Sequence, residues 1–410
     1  MTHTEDINKI IEYSLSEVLP DRAVIKALTS KTFSDGDIFI VAVGKAAYRM
    51  AEAASKVVSY KRGIVITKYG HAGDDLDDFE IFEAGHPLLD AGGIRATKRV
   101  LELTEDLKEN DTVIFLVSGG GSALFEDPLI RLEELQDVNR QLLECGANIK
   151  EINTIRKHLS NVKGGRFALH CRPARIFQIV ISDVIGNDLD VIASGPAVCD
   201  TSTVEDVDRV IEKYQLDISE ETMDILHRET PKDIANVETV ITTSVNDLCL
   251  SAEKKAAELG YITEILSLDE CGYAKDTGHK LAQKALEIYE KDKRPHCLIM
   301  GGETVVKVKG KGLGGRNQEL ALSTVPYIKD KDITIVSLGS DGTDGPTDAA
   351  GGIVNGSSYK KLKDLGIDIT EVLEDSDSYN ALKQIDGLIF TGPTGTNVND
   401  LMMALINKNG

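Results

Sequence analysis

Four stretches place charged or hydroxyl side chains beside glycine, directly after short runs of apolar residues. In Val43-Gly44-Lys45-Ala46 an apolar run meets glycine and then a lysine at the expected start of a helix. The positive end of the helix dipole disfavours a cation there. Lys45 is therefore expected to place its ammonium beside an anion held at that helix end, a phosphate or a carboxylate. A solvated lysine on a surface helix is the plainer alternative. The second stretch, Ser118-Gly119-Gly120-Gly121-Ser122, follows Val113–Val117. Three successive glycines permit positive φ and leave backbone N–H groups open as a nest for anionic oxygens. The hydroxyls of Ser118 and Ser122 add donors. A flexible turn is the alternative, although a turn seldom needs three glycines right after a buried strand.

The third stretch ends Ile176–Ser182 with Asp183, which could bind a metal, accept a proton or cap the next element. The fourth has three parts: Gly301-Gly302-Glu303-Thr304, the loop Gly310–Gly315 leading into Arg316-Asn317, and Ser340-Asp341-Gly342-Thr343-Asp344 after Ile333–Leu338. Arg316 repeats the situation of Lys45, a cation at a helix start that calls for an anionic partner. Asp341 and Asp344 could gather Mg²⁺ or form Asx turns. Of the eight histidines, only His86 in Gly85-His86-Pro87 sits in a special loop, and a hydrogen-bonded structural role is expected of it.

Gly310-x-Gly312-x-x-Gly315 formally matches the dinucleotide fingerprint. The residues before it, Thr304–Lys309, alternate in polarity and read as an edge or hairpin strand rather than the buried first strand of a dinucleotide fold. No P-loop and no G-x-S-x-G elbow occurs. Physical reading alone reaches an enzyme or binder acting on small anions, with phosphoryl transfer as a fitting chemistry.

The elements that must carry these loops alternate. Buried runs such as Ile38–Val43, Val113–Val117 and Ile333–Leu338 are separated by amphipathic stretches such as Ala46–Val58 and Leu132–Cys145. This predicts an α/β fold with largely parallel, doubly wound sheets. The polar segment His227–Glu238 predicts a division into domains 1–235 and 236–410. The 410 residues carry a formal net charge of −21, which argues against non-specific nucleic-acid or anionic-membrane binding. No apolar run approaches the ~20 residues of a membrane span. The N-terminus lacks a secretory pattern, and the six scattered cysteines contain no C-x-x-C pair, so a reducing cytoplasm is expected.

The ordered set of motifs closely resembles the class II glycerate kinases, the family with a C-terminal MOFRL domain. The resemblance rests on Val43-Gly-Lys45-Ala, Gly85-His-Pro87, Val117-Ser-Gly-Gly-Gly-Ser122, Asn153-Thr-Ile-Arg156-Lys-His-Leu-Ser160, Ser182-Asp183-Val, Ala193-Ser-Gly-Pro196, Gly301-Gly-Glu303-Thr, Gly314-Gly-Arg316-Asn-Gln-Glu319, Ser340-Asp-Gly-Thr-Asp-Gly345 and Thr391-Gly-Pro-Thr-Gly-Thr396-Asn397-Val-Asn-Asp400. It implies a Rossmann-like N-terminal domain with a smaller α/β C-terminal domain. It also implies an ATP-dependent kinase of D-glycerate that uses Mg²⁺ or another divalent metal. Compact size and the lack of Trp incline the product toward the 2-phosphate of a branched Entner–Doudoroff route. Glycerate and ATP are the implied partners, and a homodimer is compatible with the reading. An NAD(P)H-dependent hydroxypyruvate reductase and a non-catalytic sugar-phosphate-binding regulator are the competing functions. By resemblance, Lys45, Arg316 and Asp183 are catalytic, at a cleft between the domains. Ser118, Gly119, Gly120, Gly121, Ser122, Asn317 and Glu303 hold substrate or phosphate, and Asp341 with Asp183 hold the metal.

Overall fold

The computed structural model describes residues 3–182 and 188–406. Two compact units emerge: Pro20–Thr242, and Met1–Leu19 together with Thr243–Gly410. In the first, the described strands are β1 (Ile38–Val43), β2 (Arg62–Lys68), β3 (Phe79–Ala84), β4 (Thr112–Val117), β5 (Arg175–Ile181) and β6 (Val237–Thr243). They form one sheet in the order β3-β2-β1-β4-β5-β6, parallel from β3 through β5. β4 is buried at all six residues and β1 at five of its six, as continuous apolar strands must be when both faces are covered. Helix Ala47–Ser55 packs on β1 and β2, and helix Ala91–Leu103 on β2 and β3. On one side of the sheet Phe115, Phe125 and Phe167 meet edge-to-face or tilted, with ring centroids 4.9–5.8 Å apart.

Strand order reverses between β1 and β4: the chain moves outward to β2 and β3 on one side and to β5 and β6 on the other. The carboxyl ends of β1 and β4 are therefore the switch point of this sheet, the place where α/β proteins bind ligands.

The units divide differently from the expected boundary at residue 235. β6 lies beyond that point yet completes the first sheet, and the first nineteen residues belong with the second unit. There helix His3–Glu17 packs on helix Val245–Glu258, and the Tyr261 hydroxyl donates to Asp6 Oδ2 at 2.9 Å.

The second unit contains β7 (Ile262–Glu270), β8 (His296–Gly302), β9 (Ile333–Gly339), β10 (Gly351–Asn355), β11 (Leu388–Ile389) and β12 (Asp400–Ile406). Their order is β11-β10-β9-β12-β8-β7. β7 and β8 are parallel, but β12 runs antiparallel to both β8 and β9 at the centre. The expectation of a largely parallel sheet fails here for a simple reason. Residues 390–399 hold no helix and are too short for the crossover that parallel entry demands, so β12 enters reversed. Thr304–Lys309, expected as an edge strand, makes only an isolated bridge from Val305 to Tyr273. No helix among the described residues is long and apolar enough to cross a membrane.

Every residue of β12 is buried, and Met402 is inaccessible among the core side chains of this unit. Met402→Ala should destabilise the protein by about 2–5 kcal/mol, the usual cost of such a truncation. Urea unfolding measures this, and a loss below about 0.5 kcal/mol, the usual range for surface changes, would deny β12 its central place.

Candidate functional site

Register builds the first cluster. β1 and β4 pair Val43 with Val117, so Gly44-Lys45 and Ser118–Ser122 leave adjacent strands side by side. The Ser118 N–H donates to the Val43 carbonyl at 3.0 Å, and the Lys45 N–H to the Gly119 carbonyl at 2.9 Å. The Ser118 hydroxyl accepts from the Ala46 N–H at 3.0 Å and donates to the Val43 carbonyl at 3.4 Å. Its hydrogen-bonding capacity is thus taken up in tying the two loops together. Gly44 has φ +119°, and a Cβ there would lie 2.3 Å from the Ser118 oxygen. Gly120 has φ +91°, and its Cβ would lie 3.0 Å from the His86 ring and 3.3 Å from Lys45 Cγ. Both backbone conformation and space demand glycine at these positions.

Lys45, Gly120 and His86 are therefore neighbours. His86 is half-buried, and its pKa falls to about 4, first through burial and then through the charges of Lys45, Lys68 and His71. Among the described residues no hydrogen bond reaches its ring, so the expected structural tether is not there. Nor, among the described residues, does the Lys45 ammonium have an ion-pair partner. In a chain of net charge −21, an ammonium with no ion-pair partner among the described residues, beside a ring kept neutral by neighbouring cations, marks a place for an external anion. Sequence reasoning gave His86 only a structural role and missed Lys68, because only folding brings β2 and β3 beside β1.

The rest of the glycine loop is locked from behind. A Cβ on Gly121 would lie 2.6 Å from that of Ala193. Ala193 and Ser194 are buried with φ of +51° and +61°, a left-handed conformation uncommon outside glycine. That conformation brings the Ser194 hydroxyl 3.2 Å from the Ser122 oxygen and 3.0 Å from Asn153 Oδ1. Further along, Glu126 Oε2 accepts from the fully buried Lys163 ammonium at 2.5 Å, which also donates to the Phe125 carbonyl at 2.9 Å. Arg156 Nε donates to Asn139 Oδ1 at 2.6 Å.

The second cluster belongs to the other unit, and its charges meet one another. Arg316 binds Asp400 with two parallel hydrogen bonds, Nε to Oδ2 at 2.6 Å and Nη2 to Oδ1 at 2.9 Å. Glu303 Oε1 lies 3.4 Å from the same guanidinium. Asp400 is fully buried, and burial lifts its pKa to about 6 in spite of Arg316. Asp344 caps helix Arg316–Thr324, accepting from the backbone N–H groups of Asn317 at 3.1 Å and Gln318 at 2.9 Å. The anion called for at this helix start is supplied by the chain itself. Asn317 is inaccessible; its side chain donates to Asp344 Oδ1 at 3.3 Å and accepts from the Ser337 hydroxyl. Asp341 Oδ1 accepts from the Thr343 N–H at 3.0 Å as an Asx turn. Neither Asp344 nor Asp400 was expected as the partner of this helix end, since Asp400 reaches it from β12 and Asp344 from the loop after β9.

The dinucleotide-like glycines have a packing cause. Cβ atoms on Gly310, Gly312 and Gly315 would lie 2.1 Å from Asp375, 2.4 Å from Asp377 and 2.2 Å from Asp344. These glycines let segments of one unit approach each other and leave no room for a pyrophosphate against them. Asp183 lies outside the described residues. Among the described residues no three His, Cys, Asp or Glu side chains converge to hold a metal.

Comparison with known proteins adds relatives to this geometry. Residues 6–227 match a family described as a domain of unknown function, DUF4147, and residues 296–400 match the MOFRL family. The chain is 51% identical over 406 residues to the D-glycerate 2-kinase of Thermotoga maritima, covering 97% of each. It is 41% identical over 426 residues to the glycerate 2-kinase of Pyrococcus horikoshii, covering 98% of this chain and 96% of that one. A crystal structure of glycerate kinase from Thermotoga maritima matches with a TM-score of 0.95 at 50% identity, over 98% of this chain and 99% of the other.

The lowered pKa of His86 gives a direct test. Its folded value of about 4 lies below the ordinary 6.5, so the unfolded chain takes up the proton first. The contribution of His86 to stability is complete above pH 6.5 and is lost as pH falls toward 4. NMR of the imidazole should show a neutral ring from pH 8 down to about pH 5. A midpoint above 6 would mean that the ring is not pressed among these cations.

Proposed function

The chain belongs to the class II glycerate kinases with a C-terminal MOFRL domain, and from that premise we propose that it transfers the terminal phosphoryl group of ATP to O2 of D-glycerate, giving 2-phosphoglycerate and ADP. The observation that carries this reading is the near-full-length identity to two glycerate 2-kinases. The packed Gly310–Gly315 loop speaks against the reductase alternative, because it removes the one dinucleotide-like motif from consideration.

Phosphoryl transfer is catalysed mainly by positioning and by neutralising charge on the transferring oxygens. Lys45 suits that task, since its ammonium has no ion-pair partner among the described residues and its backbone is fixed to Gly119. Gly120 and Gly121 let phosphate oxygens approach the loop backbone, with Ser122 beside them. Arg316 works differently. Asp400 holds Nε and Nη2, with Glu303 also 3.4 Å from Nη2, which aims the guanidinium and leaves Nη1 for a phosphate or carboxylate. Lysine could not reproduce that two-point grip. Asp183 is our choice for the carboxylate that takes the hydroxyl proton or shares the metal, from its place in Ser182-Asp183-Val184.

Mg²⁺ keeps several waters and usually takes only one or two protein carboxylates beside the phosphates. Asp341 fits that part: it is half-buried, and only Oδ1 is engaged by Thr343 among the described residues. The metal supplies charge neutralisation on the nucleotide. The six cysteines are all free thiols, which supports a reducing, cytoplasmic setting.

³¹P NMR of the reaction of ATP with D-glycerate should show 2-phosphoglycerate and ADP. Lys45→Met should lower kcat on the order of 10³-fold, the scale of losing one preorganised charge at the transferring group, at an unchanged melting temperature. NADH oxidation with hydroxypyruvate and no glycerate-dependent ADP formation would overturn the kinase reading. Arg316→Lys should lose at least about tenfold in kcat/KM, roughly 1.4 kcal/mol of transition-state stabilisation, and full activity would remove Arg316 from the reaction.

A further inference from the structure

A cavity of about 870 Å³ lies within the unit Pro20–Thr242, and the roles above use little of its lining. Gly120, Ser122 and His86 line it, next to Lys45. Leu88, Leu143 and Ile149 also line it, alongside the polar Gln136, Arg140 and Glu144, and are 76%, 60% and 53% exposed. They come from three separate segments: the loop after His86-Pro87, helix Leu132–Glu144 and the first turn of helix Ile149–His158. One exposed leucine is unremarkable, but three large apolar side chains from three segments around one cavity form an unpartnered apolar wall.

Within its polar lining, Glu126 and Arg156 stand out. Glu126 is 3% exposed, and its Oε1 has no hydrogen-bond partner while Oε2 is held by Lys163. An orphaned buried acceptor is costly and calls for an N–H or O–H donor. Arg156 has only Nε engaged, by Asn139, among the described residues, and burial lowers its pKa. The occupant should therefore offer a flat or apolar face, a hydrogen-bond donor, and negative charge toward Gly120 and Lys45. The volume falls in the ~300–1,000 Å³ range of sites that enclose whole organic ligands. A three-carbon acid would leave most of it to water.

We infer that this cavity binds the nucleoside portion of the nucleotide, with its base against Leu88, Leu143 and Ile149. An amine or hydroxyl of the nucleoside donates to Glu126 Oε1, and the phosphates run to Gly120 and Lys45. The location agrees with the reversal of strand order between β1 and β4, where doubly wound folds bind nucleotides. This inference rests on the kinase reading and assigns the base to one unit. The other unit has a cavity of about 470 Å³ beside Tyr273 and Tyr327, with Lys275, Lys307 and Lys309 around it, which is the competing location.

Leu143→Asp tests the assignment without burying a charge, because Leu143 is exposed. Binding of a fluorescent N-methylanthraniloyl ADP to the full chain should weaken tenfold or more, the scale expected when one side chain of an apolar pocket is spoiled. The KM for MgATP should rise in parallel, while the KM for D-glycerate and the melting temperature stay unchanged. Ile149→Ala should give a smaller loss in the same direction. A raised glycerate KM with unchanged nucleotide binding would make this the acceptor site and overturn the inference. Loss of nucleotide binding in Tyr327→Ala, with Leu143→Asp unaffected, would overturn it in favour of the other cavity. Direct binding keeps the two readings separable. If the unaltered protein makes no ADP from ATP and D-glycerate, the kinase reading fails, whereas the response of ADP binding to Leu143→Asp still reports on the cavity.

Discussion

The first cluster depends on the closeness of two loops. Parallel pairing of β1 with β4 brings Gly44 so near Ser118 that no side chain fits between them. The Ser118 hydroxyl then fastens the loops by bonding to both sides of Gly44, at the Val43 carbonyl and the Ala46 N–H. Fixing the backbone there fixes where Lys45 begins, and hence which groups its ammonium can reach. The register of two buried strands is set by their apolar runs, so core packing and site geometry are one constraint. A substituent at Gly44 would disturb catalysis and pairing together.

Charge is handled in opposite ways by the two units. Around Lys45 no carboxylate among the described residues pairs with its ammonium, and the charges of Lys45, Lys68 and His71 add to burial in keeping His86 neutral. Around Arg316 the fold supplies carboxylates: Asp400 and Glu303 meet the guanidinium, and Asp344 takes the helix end. Breaking a buried pair of this kind by removing one partner generally costs about 3–5 kcal/mol. Arg316 and Asp400 therefore join helix Arg316–Thr324 to β12 as well as presenting the outer guanidinium edge. The dipole argument correctly demands an anion beside Arg316, but it has no means of telling an internal carboxylate from a bound ligand.

The same limit explains what was legible in the sequence. β1, β4 and β9 are continuous apolar, β-branched runs that end in glycine, and both their extent and the chemistry after them could be read directly. β12 could not. Leu401-Met-Met-Ala-Leu405 is made of good helix formers without alternation, and only its burial between β8 and β9 makes it a strand. β3, Phe79-Glu-Ile-Phe-Glu-Ala84, carries two glutamates because it is an edge strand with only partial cover. Lys45, Arg316 and the triple glycine are recognisable because each breaks a local rule. Glu126 and Arg156 break none, and His86 stands out only by its loop. Their significance comes from neighbours distant in sequence, and chain order alone carries little trace of it.

The segment behind the glycine loop shows how such a site resists relaxation. A buried non-glycine residue with left-handed φ costs on the order of 1–3 kcal/mol, and Ala193 and Ser194 are two in succession. Their strain persists because the backbone around them is fully engaged. The Gly164 N–H donates to the Ser194 carbonyl at 3.1 Å and the Gly165 N–H to the Gly195 carbonyl at 2.8 Å. Gly121 fits against Ala193 only because it lacks a Cβ, so the loop cannot settle backward into the space behind it. Ser194 holds Ser122 and Asn153 at the same time, and one strained turn thus sets the position of groups from three segments. A loop of three glycines would ordinarily be mobile. Here the conformational freedom that glycine confers allows close approach from the front, while the strained turn removes that freedom from behind.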